Sequence, residues 1–131
     1  TNDGSVSTLY LNGVSVETAD TSGESIRING DYPARIASRS HTSADNYYTG
    51  NISEVAFYNI AMTASQVKIL YNGREPYNHK EGIASANLKG WWRMGDGLEN
   101  STVSTIYDMS DNSNNGTMTN MAADDFVGDT P

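Results

Sequence analysis

Apolar and polar positions alternate through Val6-Ser7-Thr8-Leu9-Tyr10-Leu11 and resume at Val14-Ser15-Val16-Glu17, with Asn12-Gly13 between the two runs. Asn-Gly is the dipeptide most favourable to a two-residue type I′ turn, so this spacing predicts a short β-hairpin. Val6, Thr8 and Tyr10 alternate with Ser7, Leu9 and Leu11, so neither face of the first arm is wholly polar and the hairpin is expected to be covered on both sides. Residues 20–23 read as a turn. Residues 25–29 and 34–38 are further strand candidates, separated by Asn29-Gly30-Asp31, with Pro33 belonging at a strand end or edge. Residues 39–47 are polar and read as an exposed loop.

The strongest pattern follows. Gly50 to Met62 reads as one long strand, with Ile52, Glu54, Ala56 and Tyr58 facing one way and Val55 and Phe57 the other. Apolar residues on both faces suit a buried central strand, with Glu54 near a rim or paired. A short helix from Thr63 to Tyr71 comes next. Thr63 and Gln66 have the spacing of a capping box, and Met62 and Val67 that of a hydrophobic staple. Gly73 supplies the expected stop. Val67, Leu70 and Tyr71 fall at i, i+3 and i+4, so the helix has one apolar face and is expected to roof the sheet. Residues 74–86 read as a linker containing Pro76 and Gly82. Residues 88–94, 106–109 and 117–121 are later strand candidates.

Composition narrows the class. The charge of −8 disfavours sequence-independent nucleic-acid binding, because a polyanion would be repelled rather than release counterions to Lys and Arg. The acidity has two readings: solubility of an extracellular or virion surface, or carboxylates gathered for calcium. Cysteine is absent, which removes disulfides and thiolate chemistry. No run approaches the roughly 18 apolar residues of a membrane span, so no membrane is expected as a partner. A mean hydropathy of −0.55, with short apolar runs among Gly, Ser, Thr and Asn, points to an all-β chain with a small core.

The block from Gly50 to Asn72 resembles the closing strand and short helix of LamG-like domains, in the concanavalin A-like lectin/glucanase superfamily. The pattern there is roughly G-x-I-[DS]-E-V-x-[IF]-Y-N-x-[AM]-[LM]-[ST], leading into a helix that ends L-Y-N. A second block is similar to the tail that follows LamG-like domains in structural proteins of marine tailed phages. It comprises residues 87–97 (Asn-Leu-Lys-Gly-Trp-Trp-Arg-Met-Gly-Asp-Gly), 106–110 and 115–121, with an acidic-aliphatic ending at 125–131. The resemblance implies an all-β, concanavalin A-like jelly-roll sandwich of antiparallel sheets with one short helix. Residues 1–75 would be the C-terminal half of the sandwich, 76–86 a linker, and 87–131 a β-rich tail that completes or extends it. Family members usually carry further strands before the first hairpin. A chain that starts on Thr1 without them is expected to be a processed product or fragment, or to take those strands from a neighbouring copy.

Candidate chemistry is sparse. Retaining glucanases on this fold carry E-x-D-x-E or E-x-D-x-x-E on one strand, because their mechanism needs two carboxyl groups about 5 Å apart. Glu54 stands alone on its strand, so no catalytic residue is expected. His41 and His79 lie in polar stretches without a nucleophile motif and read as solvated surface groups. Asp108, Asp111, Asn112, Asn114 and Asn115 form an oxygen-rich stretch that suits calcium, although the spacing departs from an EF-hand and Asx-turns explain it equally. Tyr32, Asp45, Asn46, Tyr47 and Tyr48 would make a carbohydrate platform, rings stacking on sugar C–H groups and the polar groups fixing hydroxyls. Trp91 and Trp92 are adjacent, so on a strand one ring enters the core and the other faces the helix, a partner or a ligand. Asn51, Asn100 and Asn115 begin Asn-x-Ser/Thr triplets, which arise readily by chance in such a chain.

The expectation is therefore a non-enzymatic structural or interaction module of a phage particle, such as a capsid decoration or fibre component, at the virion surface or outside the cell. Its partners would be copies of itself or capsid and fibre proteins. The alternative is a lectin-like module for cell-surface or environmental polysaccharide, with calcium as the one cofactor to consider.

Overall fold

The computed structural model describes residues 1–24, 33–39, 46–94 and 104–126. They form three two-stranded antiparallel sheets and one short helix, an all-β architecture of the concanavalin A-like kind. Strands β1 (Val6–Leu11) and β2 (Val14–Asp20) make the first hairpin. Asn12 at φ 51° and Gly13 at φ 75° are both left-handed, as a type I′ turn requires. Register slips once, between Leu9 opposite Glu17 and Tyr10 opposite Ser15, leaving Val16 as a bulge. Leu9 and Leu11, two residues apart on β1, and Val14 opposite Leu11 share one face.

This face is not covered. Leu9, Leu11, Val14 and Val16 are 60%, 63%, 64% and 53% exposed, against the expectation of cover on both sides. The opposite face is better protected, with Thr8 and Tyr10 half-buried. Residues 1–2 run back along the outer edge of β1, where Thr8 N–H donates to Thr1 O and Asn2 bridges Ser7.

The long strand expected from Gly50 is much shorter: β3 is Val55–Tyr58. Glu54 sits at φ 52°, a left-handed conformation that interrupts the extended run and costs on the order of 1–3 kcal/mol unless its surroundings hold it there. Strand β3 pairs with β4 (Leu88–Trp92) in the register Val55–Trp92, Ala56–Trp91, Phe57–Gly90, with a slip before Tyr58–Leu88. Ala56, Tyr58, Leu88 and Trp91 therefore look inward. Phe57 looks out and is 62% exposed, which corrects its reading as a buried position. Trp92 lies on the outer side, its ring folded back where a Gly90 side chain would be and its Nε1 donating to Asn114 O at 3.0 Å.

Helix α1 (Ala64–Tyr71) has both halves of the capping box: Thr63 Oγ1 accepts from Gln66 N at 3.3 Å, and Gln66 Oε1 accepts from Thr63 N at 2.9 Å. The C-cap is Asn72 at φ 46° rather than Gly73, which follows at φ 66°. Asn tolerates the left-handed cap because its side chain bonds locally, here to Glu75 O and Pro76 O. The helix meets the hairpin at its turn, where a side chain at Gly13 would come within 3.1 Å of Tyr71 Cβ.

Residues 34–38 form bends rather than the expected strand, since Ala37 is left-handed at φ 66° and its carbonyl accepts from Tyr48 N–H. The strand candidate at 25–29 and His41 lie outside the described residues. The late strands are brief, β5 (Thr105–Ile106) and β6 (Gly116–Thr117), and pair with each other. The buried apolar centre is Met62, Leu88 and Trp91, each 6–7% exposed. His79, Asp108 and Ser110 are buried around it.

Candidate functional site

Trp91 organises the inner side of the β3–β4 ribbon. Its indole Nε1 donates to Glu54 Oε2 at 2.7 Å, and Arg93 Nε donates to Glu54 Oε1 at 3.0 Å. The Arg93 guanidinium lies 5.8 Å from the Trp91 ring centre. The left-handed turn at Glu54 delivers its carboxylate to both donors, and these charge-assisted bonds hold the turn. Glu54 was expected at a rim or paired, and it is paired.

The other edge of Trp91 meets His79, ring centres 5.1 Å apart and nearly perpendicular. Tyr77 packs edge-on against His79 at 5.3 Å, and the Tyr58 hydroxyl lies 2.6 Å from His79 Nδ1. His79 is 6% exposed, which corrects its reading as a solvated group. Burial lowers its pKa below 6.5, with Glu54 pulling the other way, so the ring is neutral at pH 7. Burial and the neighbouring Tyr77 push Tyr58 up to about 12, so its hydroxyl keeps its proton beside Nδ1.

A third arrangement sits behind β4. Asp108 Oδ1 accepts from Trp91 N and Ser110 N, both at 2.9 Å, and Oδ2 accepts from Ser110 Oγ at 2.9 Å and Asn114 N at 2.8 Å. Burial raises the Asp108 pKa, but the bonds from Trp91, Ser110 and Asn114 outweigh it, and the net direction is down. The rest of the oxygen-rich stretch is turned to the same task. Asn112 Nδ2 donates to Leu88 O, Asn114 Nδ2 to Lys89 O, and Asn115 Oδ1 accepts from Asp108 N. Asp111 is exposed and pairs with Lys80 Nζ at 2.6 Å. Four donors already fill the Asp108 carboxylate, and among the described residues no three His, Asp or Glu side chains gather as a metal would need. Together these bonds staple the loop to β4.

Of the sugar-platform residues, Tyr32 and Asp45 lie outside the described residues. Asn46 is left-handed at φ 49°, and Tyr47 and Tyr48 are 66% and 58% exposed. The Tyr48 ring folds back onto Gly50, whose φ of 150° and lack of a side chain leave it room. Of the tryptophans, Trp91 enters the core while Trp92 lies half-buried on the outer side of the ribbon. No catalytic arrangement occurs among the described residues: Glu54 is held by Trp91 and Arg93, and His79 is turned to a tyrosine. Sequence reasoning missed the grouping of Tyr58, Tyr77, His79 and Arg93. The one available signal was the i, i+2 spacing of Tyr77 and His79.

Comparison with known families agrees with this architecture. The family model described as the concanavalin A-like lectin/glucanases superfamily, of laminin G type, matches residues 1–68, just over half of the chain. The chain belongs to that superfamily, and its family suggests a carbohydrate-binding or interaction module. No curated protein and no solved structure matches it.

Proposed function

We propose that the chain is a non-catalytic interaction module of a phage particle, docking through its first hairpin onto a second copy of itself. One observation carries the reading. Four apolar side chains of a single hairpin, Leu9, Leu11, Val14 and Val16, are more than half exposed, where the buried apolar centre among the described residues has three residues. The fold to which residues 1–68 belong is made of packed sheets, and among the described residues β2 pairs only with β1. An open strand edge beside an apolar face is what another sheet completes. The same hairpin on a neighbouring copy offers both the complementary edge and the complementary face. The tail's similarity to those of tailed-phage structural proteins supports a capsid or fibre setting, at the virion surface or outside the cell, with capsid or fibre proteins as the further partners.

Light scattering coupled to size exclusion tests the docking. The wild-type chain self-associates at micromolar concentration, and Leu11→Lys, a change on the exposed face, returns it to a monomer. Salt strengthens the association, because copies of charge −8 repel one another and ions screen that repulsion. A wild-type chain that stays monomeric and melts cooperatively at any salt concentration refutes the proposal.

A second reading has its own support in Tyr47 and Tyr48, which present two exposed rings on a loop shaped by Asn46 and Gly50. Exposed tyrosines on a constrained loop suit stacking on a pyranose. Binding on a glycan array that disappears in Tyr47→Ala and Tyr48→Ala would favour polysaccharide as the ligand, and silence across a broad array would remove it.

A further inference from the structure

We propose that His79 is an acid-sensitive latch that ties residues 76–87 to the β3–β4 ribbon. This segment, read from sequence as a linker, closes on itself where Ile83 N–H donates to the Tyr77 hydroxyl, and beyond the Asn72 bond to Pro76 O it is fastened to the other described residues at three places. At one end Asn59 N–H donates to Asn87 O and Asn87 Nδ2 to Asn59 Oδ1. On its surface Lys80 pairs with Asp111, an exposed contact worth less than about 1 kcal/mol. The third is His79, whose imidazole is enclosed by Tyr58 of β3, Trp91 of β4 and Tyr77 of its own segment.

That enclosure suits only the neutral ring. The 2.6 Å contact with the Tyr58 hydroxyl serves one ring nitrogen, whereas the imidazolium has two N–H donors to satisfy. The charge would also be held away from water among three aromatic rings. The ionisable groups facing the site are few. Glu54, near enough to favour the cation, has its two oxygens taken by Trp91 and Arg93, and the Arg93 guanidinium beside Trp91 opposes a second positive charge. Asp108 reaches the opposite side of Trp91 through the backbone, with its charge spread over four donors. Tyr58 keeps its proton, the Tyr77 hydroxyl accepts from Ile83 N–H, and Lys80 and Glu81 on the segment itself are turned to Asp111 and Asn78.

Because the folded ring is a weaker base than the free one, the latch is complete above pH 6.5 and loosens as pH falls from there through the folded pKa. One proton is involved, so the constant for opening the segment rises by up to tenfold per pH unit across that window. The wild-type chain, assayed between pH 7.5 and 4.5, reports this in two ways. Hydrogen exchange at amides of residues 77–87 accelerates beyond its intrinsic pH dependence, and the His79 ring resonance titrates below 6.5 in step with it. His79→Gln, which cannot be protonated, removes the pH dependence of opening. Tyr58→Phe weakens the segment at every pH but keeps the slope, since the imidazole is still enclosed. A His79 resonance that titrates at 6.5 or above, or exchange that shows no additional acceleration in wild type, overturns the proposal without need of either variant. An unaltered pH dependence in a folded His79→Gln chain does so as well.

Discussion

Replacing Asp108 by Ala removes the acceptor on which four donors converge, and it is the substitution whose cost the structure allows to be worked out most directly. A hydrogen bond to a charged group contributes about 1.5–3 kcal/mol net, and a buried donor left without a partner costs about 1–3 kcal/mol. The four bonds do not add, because Ser110 and Asn114 lie on a loop that can relax and find water once the carboxylate is gone. The Trp91 amide cannot: it belongs to β4 beneath a ring that is 7% exposed. One orphaned strand amide together with a released loop gives about 3–5 kcal/mol for Asp108→Ala. Asp108→Asn costs less, since Oδ1 can still serve Trp91 and Ser110 while the new amide faces the Asn114 N–H. Urea denaturation at pH 7 reads both values, and hydrogen exchange at Trp91 locates the loss. The pH dependence has a definite sign. The folded pKa of Asp108 lies below 3.8, so its contribution is complete above 3.8 and is lost as pH falls through the folded value. A stability for Asp108→Ala within about 0.5 kcal/mol of wild type would mean that the carboxylate is not the staple described here.

Three other outcomes are expected. Glu54→Gln keeps the shape but weakens two charge-assisted bonds, lowering stability by about 1–2 kcal/mol and shifting Trp91 emission to longer wavelength; unchanged emission would argue against the indole contact. Gly90→Ala forces the Trp92 ring off the sheet at a cost of about 1–3 kcal/mol, which near-ultraviolet circular dichroism would register. Calcium followed by chelator leaves the melting temperature unchanged, because the Asp108 carboxylate already has its four donors. A calcium-dependent rise in melting temperature would reassign that loop.

Local chemistry was legible wherever it is decided within a few residues. Asn12-Gly13 can take two left-handed conformations in succession, so the type I′ turn followed from the dipeptide alone. Thr63 and Gln66 satisfy each other's backbone across one turn, so the helix start was equally plain. Only its end moved by one residue, because Asn72 tolerates the cap as glycine would. The β3 strand was found but overextended: alternation of side chains says nothing about a left-handed residue such as Glu54, whose conformation depends on Trp91 and Arg93, 37 and 39 residues away. The same limit hid His79. The i, i+2 spacing in Tyr77-Asn78-His79 puts two rings on one side of the chain but does not say that a distant tryptophan covers them.

The sequence by itself determined the β class, the hairpin turn, the capped helix, and that one of two adjacent tryptophans must face inward, since each rests on backbone preference or on alternation over a short span. Tertiary structure decided which faces are covered. Leu9, Leu11 and Phe57 have the character of core residues and stand exposed, whereas His79, Asp108 and Ser110 are polar and lie inside. Burial depends on what a distant segment brings to the same place, and a buried polar group is tolerated only where that segment also supplies its hydrogen-bond partner.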